Sequence, residues 1–251
     1  MAEKKSPHDG HRQRMKERLL RDGLGGFADH EVFEMLLYYA QPYRDTNELG
    51  HRLVERFGSL VGVLEADYAD LIHVDGVTPH MATLLVLGGQ LARRYAREQY
   101  AVGRLLYTTE DYGNCVLPWF IGEKVESVVL VSMDNRCRLL NTTRIFVGSV
   151  NATQFNFRRL VRQALQDNAT QIVLAHNHPS GHACFSQADV NTTVQCIRLL
   201  EPLQVRVLDH LVVSQDDYVS MASTPELAHL FRPAAPAPGI AAVADPADPA
   251  E

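Results

Sequence analysis

The sequence predicts an α/β protein: a three-layer α/β domain preceded by a small all-α domain. Three observations carry this reading. The chain has 251 residues, a length that suits one or two domains and allows a sizeable core. From about residue 11 to 99, apolar residues recur at helical spacing. From about residue 103, strand-like runs alternate with helical ones, the pattern of a sheet covered by helices.

The elements follow in order. Residues 1–10 form a polar leader. In the helical domain, 11–99, Gly25 and Gly26 mark an early turn, and His30–Leu37 then places apolar residues at helical spacing. Leu49, Leu53, Val54 and Phe57 make a second stripe; Ser59–Leu64 and Asp70–Ile72 give short helices. A last helix runs from Pro79 through Leu84, Leu85, Leu87 and Leu91 to the basic Arg93, Arg94 and Arg97. In the second domain, 103–228, Glu126–Met133 is an apolar, β-rich run ending at the turn pair Asp134-Asn135. Arg138 to Val147 folds back on it as a hairpin. Phe155 to Ala164 reads as an amphipathic helix, and Gln171–Ala175 as a short buried strand leading into His176. Ser186 to Leu200 is a helix; Gln204 to Val213 and Tyr218 to Met221 are closing strands. Residues 232–251 are Pro/Ala-rich with almost nothing to bury, and are predicted to be a disordered tail.

Composition narrows the class. Apolar residues make up 46% and charged residues 22%, as in an ordinary soluble globular protein. A net charge of −6 argues against tight unspecific nucleic-acid binding by the whole chain, while leaving room for a local basic patch. Cys115, Cys137, Cys184 and Cys196 form no Cys-x-x-Cys pair, which argues against a zinc ribbon. The first residues lack the apolar core of a signal peptide, and no apolar run is long enough to span a bilayer. The expected compartment is the cytoplasm, with reduced cysteines and no membrane partner.

The most informative stretch is His176-Asn177-His178-Pro179-Ser180-Gly181, followed by Ser186 and Asp189. In extended geometry residues two apart point the same way, so both imidazoles can face one ion. Asp189 falls in the first turn of the next helix and can add an oxygen ligand. Three protein ligands leave a fourth position for water, the layout of a catalytic Zn²⁺. Ser186-x-x-Asp189 is equally a helix-start signature, and the two readings are compatible. Ligand histidines cannot serve as the general base. Glu126, a charge at the head of the most apolar strand, is the candidate; it reads equally as a strand-edge glutamate that aids solubility.

His176-x-His178-Pro179, then Ser186-x-x-Asp189, with an upstream glutamate, resembles the JAMM signature of the JAB/MPN metalloproteases. His-Asn-His-Pro-Ser-Gly is similar to the bacterial RadC family, and Asp209-His210 before an apolar strand matches it too. Glu126 precedes Asp134 by eight residues, as the family's glutamate precedes its strand-ending aspartate. The resemblance extends to about residue 225. It implies a three-layer JAB/MPN (cytidine-deaminase-like) fold, with His176, His178 and Asp189 as zinc ligands and Glu126 as general acid/base. It also implies Ser186 as a hydrogen-bond donor to the developing oxyanion. The chain departs at His182-Ala183-Cys184-Phe185, where the family has Asp-Pro-x-Pro; His182 and Cys184 are themselves potential soft ligands. Phe157 and Arg159 replace a proline and a glutamate.

Leu71-Ile72-His73-Val74-Asp75-Gly76-Val77-Thr78-Pro79 resembles a helix-hairpin-helix turn, which offers backbone N–H groups to a phosphate. It reads equally as a helix-packing turn. Arg12, Arg14, Lys16, Arg18 and Arg21 form a basic stretch, also explicable as a solvated helix face. Three functions follow. The first is a zinc-dependent hydrolase of JAMM type acting on a peptide or isopeptide carbonyl of a protein substrate. The second is a DNA-associated accessory protein, in line with the family's DNA-repair label, with DNA contacting the helical domain. The third is a non-catalytic zinc-containing interaction module.

Overall fold

The computed structural model describes residues 7–42, 44–148, 155–179, 183–214 and 217–232. The tail expected over 232–251 lies outside the described residues beyond Arg232. The chain divides into two compact units, Met1–Tyr100 and Ala101–Glu251.

Among the described residues the first unit holds six helices: α1 Pro7–Asp22, α2 Asp29–Leu37, α3 Asn47–Phe57, α4 Leu60–Leu64, α5 Tyr68–Ile72 and α6 Pro79–Glu98. Its core gathers Phe33, Leu37, Leu53, Val63, Leu71, Met81 and Leu85, all nearly inaccessible. All but Met81 are among the residues that the helical spacing singles out, whereas Leu87 and Leu91 of the predicted last helix are exposed; the burial of this core supplies most of the unit's stability. α1 starts at Pro7, inside the stretch read as a polar leader. It has few apolar residues, and side-chain contacts hold it in place. Met15 packs on Met35 and Tyr38, and Arg18 makes two hydrogen bonds to the Glu31 carboxylate, at 3.0 and 2.9 Å. The buried Glu34 carboxylate is satisfied by His11, Tyr38 and Asn47.

α4 crosses α6 at Gly89, where a Cβ would overlap the Leu64 carbonyl oxygen. Gly89→Ala is expected to push the two helices apart and cost about 1–3 kcal/mol. A denaturant midpoint unchanged from wild type would show that the crossing can give way.

The second unit is the predicted α/β layer structure. It comprises α7 Thr109–Val116, β1 Ser127–Met133, β2 Leu139–Val147, α8 Phe157–Gln166, β3 Gln171–Asn177, α9 Gln187–Leu200, β4 Arg206–Ser214 and β5 Asp217–Ser220. The strands form one mixed sheet in the order β2-β1-β3-β4-β5. Only β3 and β4 run parallel, joined by the crossover helix α9; the other neighbours are antiparallel.

Every residue of β1 is buried, so the sheet is covered on both faces. Val128, Leu130, Ile172 and Leu174 pack with Leu160 and Ala164 of α8 and Cys196 and Leu200 of α9. On the opposite face lies α7, whose Cys115 meets Thr142 on β2 and whose Gly113 leaves room for the Tyr218 ring on β5. α7 is not among the elements predicted from the sequence, although Thr108-x-x-Asp111 signals its start. The Thr108 hydroxyl accepts from the Asp111 N–H at 3.1 Å, and Asp111 Oδ2 accepts from the Thr108 N–H at 3.0 Å.

Candidate metal centre

The buried strand β3 ends at Asn177, and His176 and His178 straddle that end. Leu174 and His176 share the face covered by α9, because side chains alternate along a strand. The His176 ring is fully buried and His178 is 22% exposed, so the site opens toward solvent on the His178 side. α9 brings in the third group. Its N-cap is Ser186, whose Oγ accepts from the Asp189 N–H at 3.2 Å. The Asp189 carboxylate accepts from the Ser186 N–H at 2.8 Å and from its hydroxyl at 2.6 Å. That capping box locks the Asp189 rotamer; the remaining oxygen, Oδ1, faces His176, while His178 is nearer Oδ2.

His176 Nε2 lies 3.0 Å from His178 Nε2 and 3.2 Å from Asp189 Oδ1, and His178 Nε2 is 3.8 Å from Asp189 Oδ2. Ligands at zinc–nitrogen and zinc–oxygen bond lengths on a tetrahedron are about 3.3 Å apart. Two imidazole nitrogens and a carboxylate oxygen at these separations fit a zinc ion. Among the described residues, this is the cluster of three whose ligand atoms converge. Burial pushes the Asp189 carboxyl up, but His176 and the two hydrogen bonds from Ser186 outweigh it and hold the group well below the usual carboxylate range. Asp189 is therefore ionised and ready to ligate at neutral pH.

Glu126 enters through the sheet. Val128 pairs with His176, and Glu126 stands two residues ahead of Val128, just before β1 begins at Ser127; strand alternation carried back across that step would put it on the same face at the same end of the sheet. Its carbonyl accepts from the Gly148 N–H at 2.7 Å, continuing the β1–β2 ladder. The segment is fastened by Asn177, which reaches across to both flanks of Glu126. Asn177 Oδ1 accepts from the Ser127 N–H at 2.7 Å, and its Nδ2 donates to the Val125 carbonyl at 3.1 Å. No sequence spacing reports this tie; the antiparallel pairing does. The Ser186 hydroxyl donates to Asp189 Oδ2 in this arrangement.

Behind His176 lies His210 on β4, with its Nε2 2.8 Å from His176 Nδ1. Burial, with His176 beside it, holds the His210 ring well below its usual titration range against the pull of Asp189, so it is neutral. Asp209 is turned to structure: it accepts from the Ser220 hydroxyl and from the Ala222 and His210 N–H groups. Ser180, Gly181 and His182 lie outside the described residues. Cys184 is exposed and stands apart from the three converging ligands.

In the helical unit, the hairpin turn between α5 and α6 has Gly76 at φ +87°, the left-handed region that glycine enters without strain. Thr78 caps α6. Arg52 sits over the turn, bonded to the Asp75 carbonyl and carboxylate at 3.1 Å each. Arg12 donates to the carbonyls of Gln41, Pro42 and Arg44 and lies over the Tyr38 ring. Arg18 pairs with Glu31 and Arg21 with Asp22. Much of the basic stretch is thus engaged within the unit.

A family model described as a RadC-like JAB domain matches residues 106–227. This domain belongs to the RadC family. The matched span contains all five β-strands, α7 to α9 and each residue of the candidate centre. JAB domains include metalloproteases, and the converging histidines and aspartate lie where the RadC-like sheet meets α9. No helix among the described residues is long and apolar enough to cross a membrane.

Proposed function

We propose that the RadC-like domain is a zinc-dependent hydrolase of JAMM type that cleaves a peptide or isopeptide bond in a protein substrate. The convergence of His176 Nε2, His178 Nε2 and an Asp189 carboxylate oxygen, at separations that suit a tetrahedral ion, carries the reading. Zinc, when bound, is a Lewis acid that makes water acidic enough to ionise near neutral pH.

The chain's own residues do the rest. His176, His178 and Asp189 hold the ion, with Asp189 kept ionised and oriented by Ser186. Glu126 takes the proton of the attacking water on its carboxylate and passes it to the leaving amine nitrogen. The Ser186 hydroxyl turns from Asp189 Oδ2 toward the substrate carbonyl oxygen as charge develops there. The buried floor of the site keeps bulk water away from the His176 side.

The purified chain is expected to carry one zinc per molecule and to hydrolyse members of a peptide and isopeptide panel. A chelator should abolish turnover and added zinc restore it. Asp189→Ala should lower zinc affinity by at least about 100-fold, since it removes a ligand outright. Purified protein without stoichiometric divalent metal would sink the proposal. Stoichiometric zinc with no turnover on any panel member would favour the non-catalytic module instead.

A further inference from the structure

The His176 ring has a second nitrogen, and its partner is unusual. Metal-bound imidazoles commonly hand their other N–H to a carboxylate or a carbonyl, which can only accept, or to a water, which can turn to accept. His176 Nδ1 instead meets Nε2 of His210 at 2.8 Å. A neutral imidazole accepts at Nε2 only when its proton is on Nδ1. What surrounds His210 Nδ1 therefore decides whether His176 can present a lone pair to a metal.

That nitrogen lies 2.6 Å from Thr193 Oγ1. Thr193 Oγ1 in turn donates to the main-chain carbonyl of Asp189 at 2.7 Å, one helical turn back on α9. His210 and Thr193 are buried, at 3% and 0% exposure, so water cannot replace any bond in the series. The path begins on one ligand residue and ends on the backbone of another. We propose that His210 and Thr193 are positioning residues that fix the proton of His176 on Nδ1 and so leave Nε2 free to bind the metal.

Each group has one proton to give. With the Thr193 proton on the Asp189 carbonyl, Thr193 Oγ1 accepts from His210 Nδ1–H. His210 Nε2 then accepts from His176 Nδ1–H, and His176 Nε2 carries a lone pair toward His178 and Asp189. Run the other way, the Thr193 proton goes to His210 Nδ1, and His210 Nε2–H points at His176 Nδ1. The only proton of His176 then sits on Nε2, where a ligand cannot have one. A threonine hydroxyl with a carbonyl to donate to favours the first direction. The inference rests on the zinc reading and adds to it the group that selects the ligand tautomer.

The test needs no substrate. In ¹⁵N-labelled zinc-loaded protein, His210 is expected to show a protonated Nδ1 and a bare Nε2. In zinc competition against a chromogenic chelator, Thr193→Val should bind about 10-fold more weakly, and Thr193→Ser, which keeps the hydroxyl, should bind as the wild type does. Val matches the shape of Thr, and the nitrogen spectrum of the wild type stands even if the variant folds poorly. His210 protonated on Nε2 in the loaded protein would overturn the proposal. Equal zinc affinity of wild type and Thr193→Val would also overturn it while leaving the zinc reading intact. Failure of the wild type itself to bind zinc would remove both.

Discussion

Glu126→Gln is expected to leave zinc at His176, His178 and Asp189 in place and to cut turnover by about 10²–10⁴-fold. The substitution keeps the size and shape of the side chain and removes only its capacity to take a proton. The three ligand atoms belong to β3, to His178 just beyond its end and to α9, so none of them is altered. The histidines cannot compensate, because a ligand nitrogen has no lone pair left for a proton. Zinc content and hydrolysis measured on the same preparation separate the two roles. Turnover near wild type in Glu126→Gln would assign the proton transfer to another group, and loss of zinc would make Glu126 a ligand.

The convergence of His176, His178 and Asp189 was legible in the sequence because it is local. His176 and His178 are two apart across the end of one strand and Asp189 stands at the third position of a capped helix, so strand period and capping box predict where they point. The α/β layers were legible for a similar reason: Val128–Val131 of β1 and Ile172–Ala175 of β3 are continuous apolar runs, as strands covered on both faces tend to have. The role of Glu126 was open because its tie to the site is a register. A residue fifty positions from His176 reaches the same face only through antiparallel pairing, and pairing leaves no mark in local spacing. His210 was visible as part of Asp209-His210, but its hydrogen bonds to His176 and Thr193 depend on β4 lying parallel to β3. α7 was passed over because its apolar positions are few, and only the Thr108–Asp111 cap announces it. The basic stretch of α1 shows the converse limit. Charge alone invited a phosphate, whereas Arg12, Arg18 and Arg21 find carbonyls and carboxylates of their own unit.

The residue between the two histidines makes the second large prediction. Asn177 is 4% exposed, and its carboxamide replaces main chain at the point where β1 and β3 part. Ser127, fully buried, has its N–H satisfied by Asn177 Oδ1, and the Val125 carbonyl is satisfied by Asn177 Nδ2. Asn177→Leu keeps the branched outline and removes both bonds, at a cost of about 1–3 kcal/mol for each buried main-chain group left unpaired. Chemical denaturation should therefore show a loss that a surface substitution would not produce. The damage should also be local. His176 and His178 stay anchored by the pairing of β3 with β1 and β4, so zinc affinity should change little. The 125–127 segment loses its fastening, so hydrogen exchange at the Ser127 amide should accelerate and turnover should fall as Glu126 drifts from the site. An unchanged Ser127 exchange rate would mean the ladder from Gly148 to Glu126 is enough by itself. In that event, the asparagine between the ligands would serve some purpose other than holding the base.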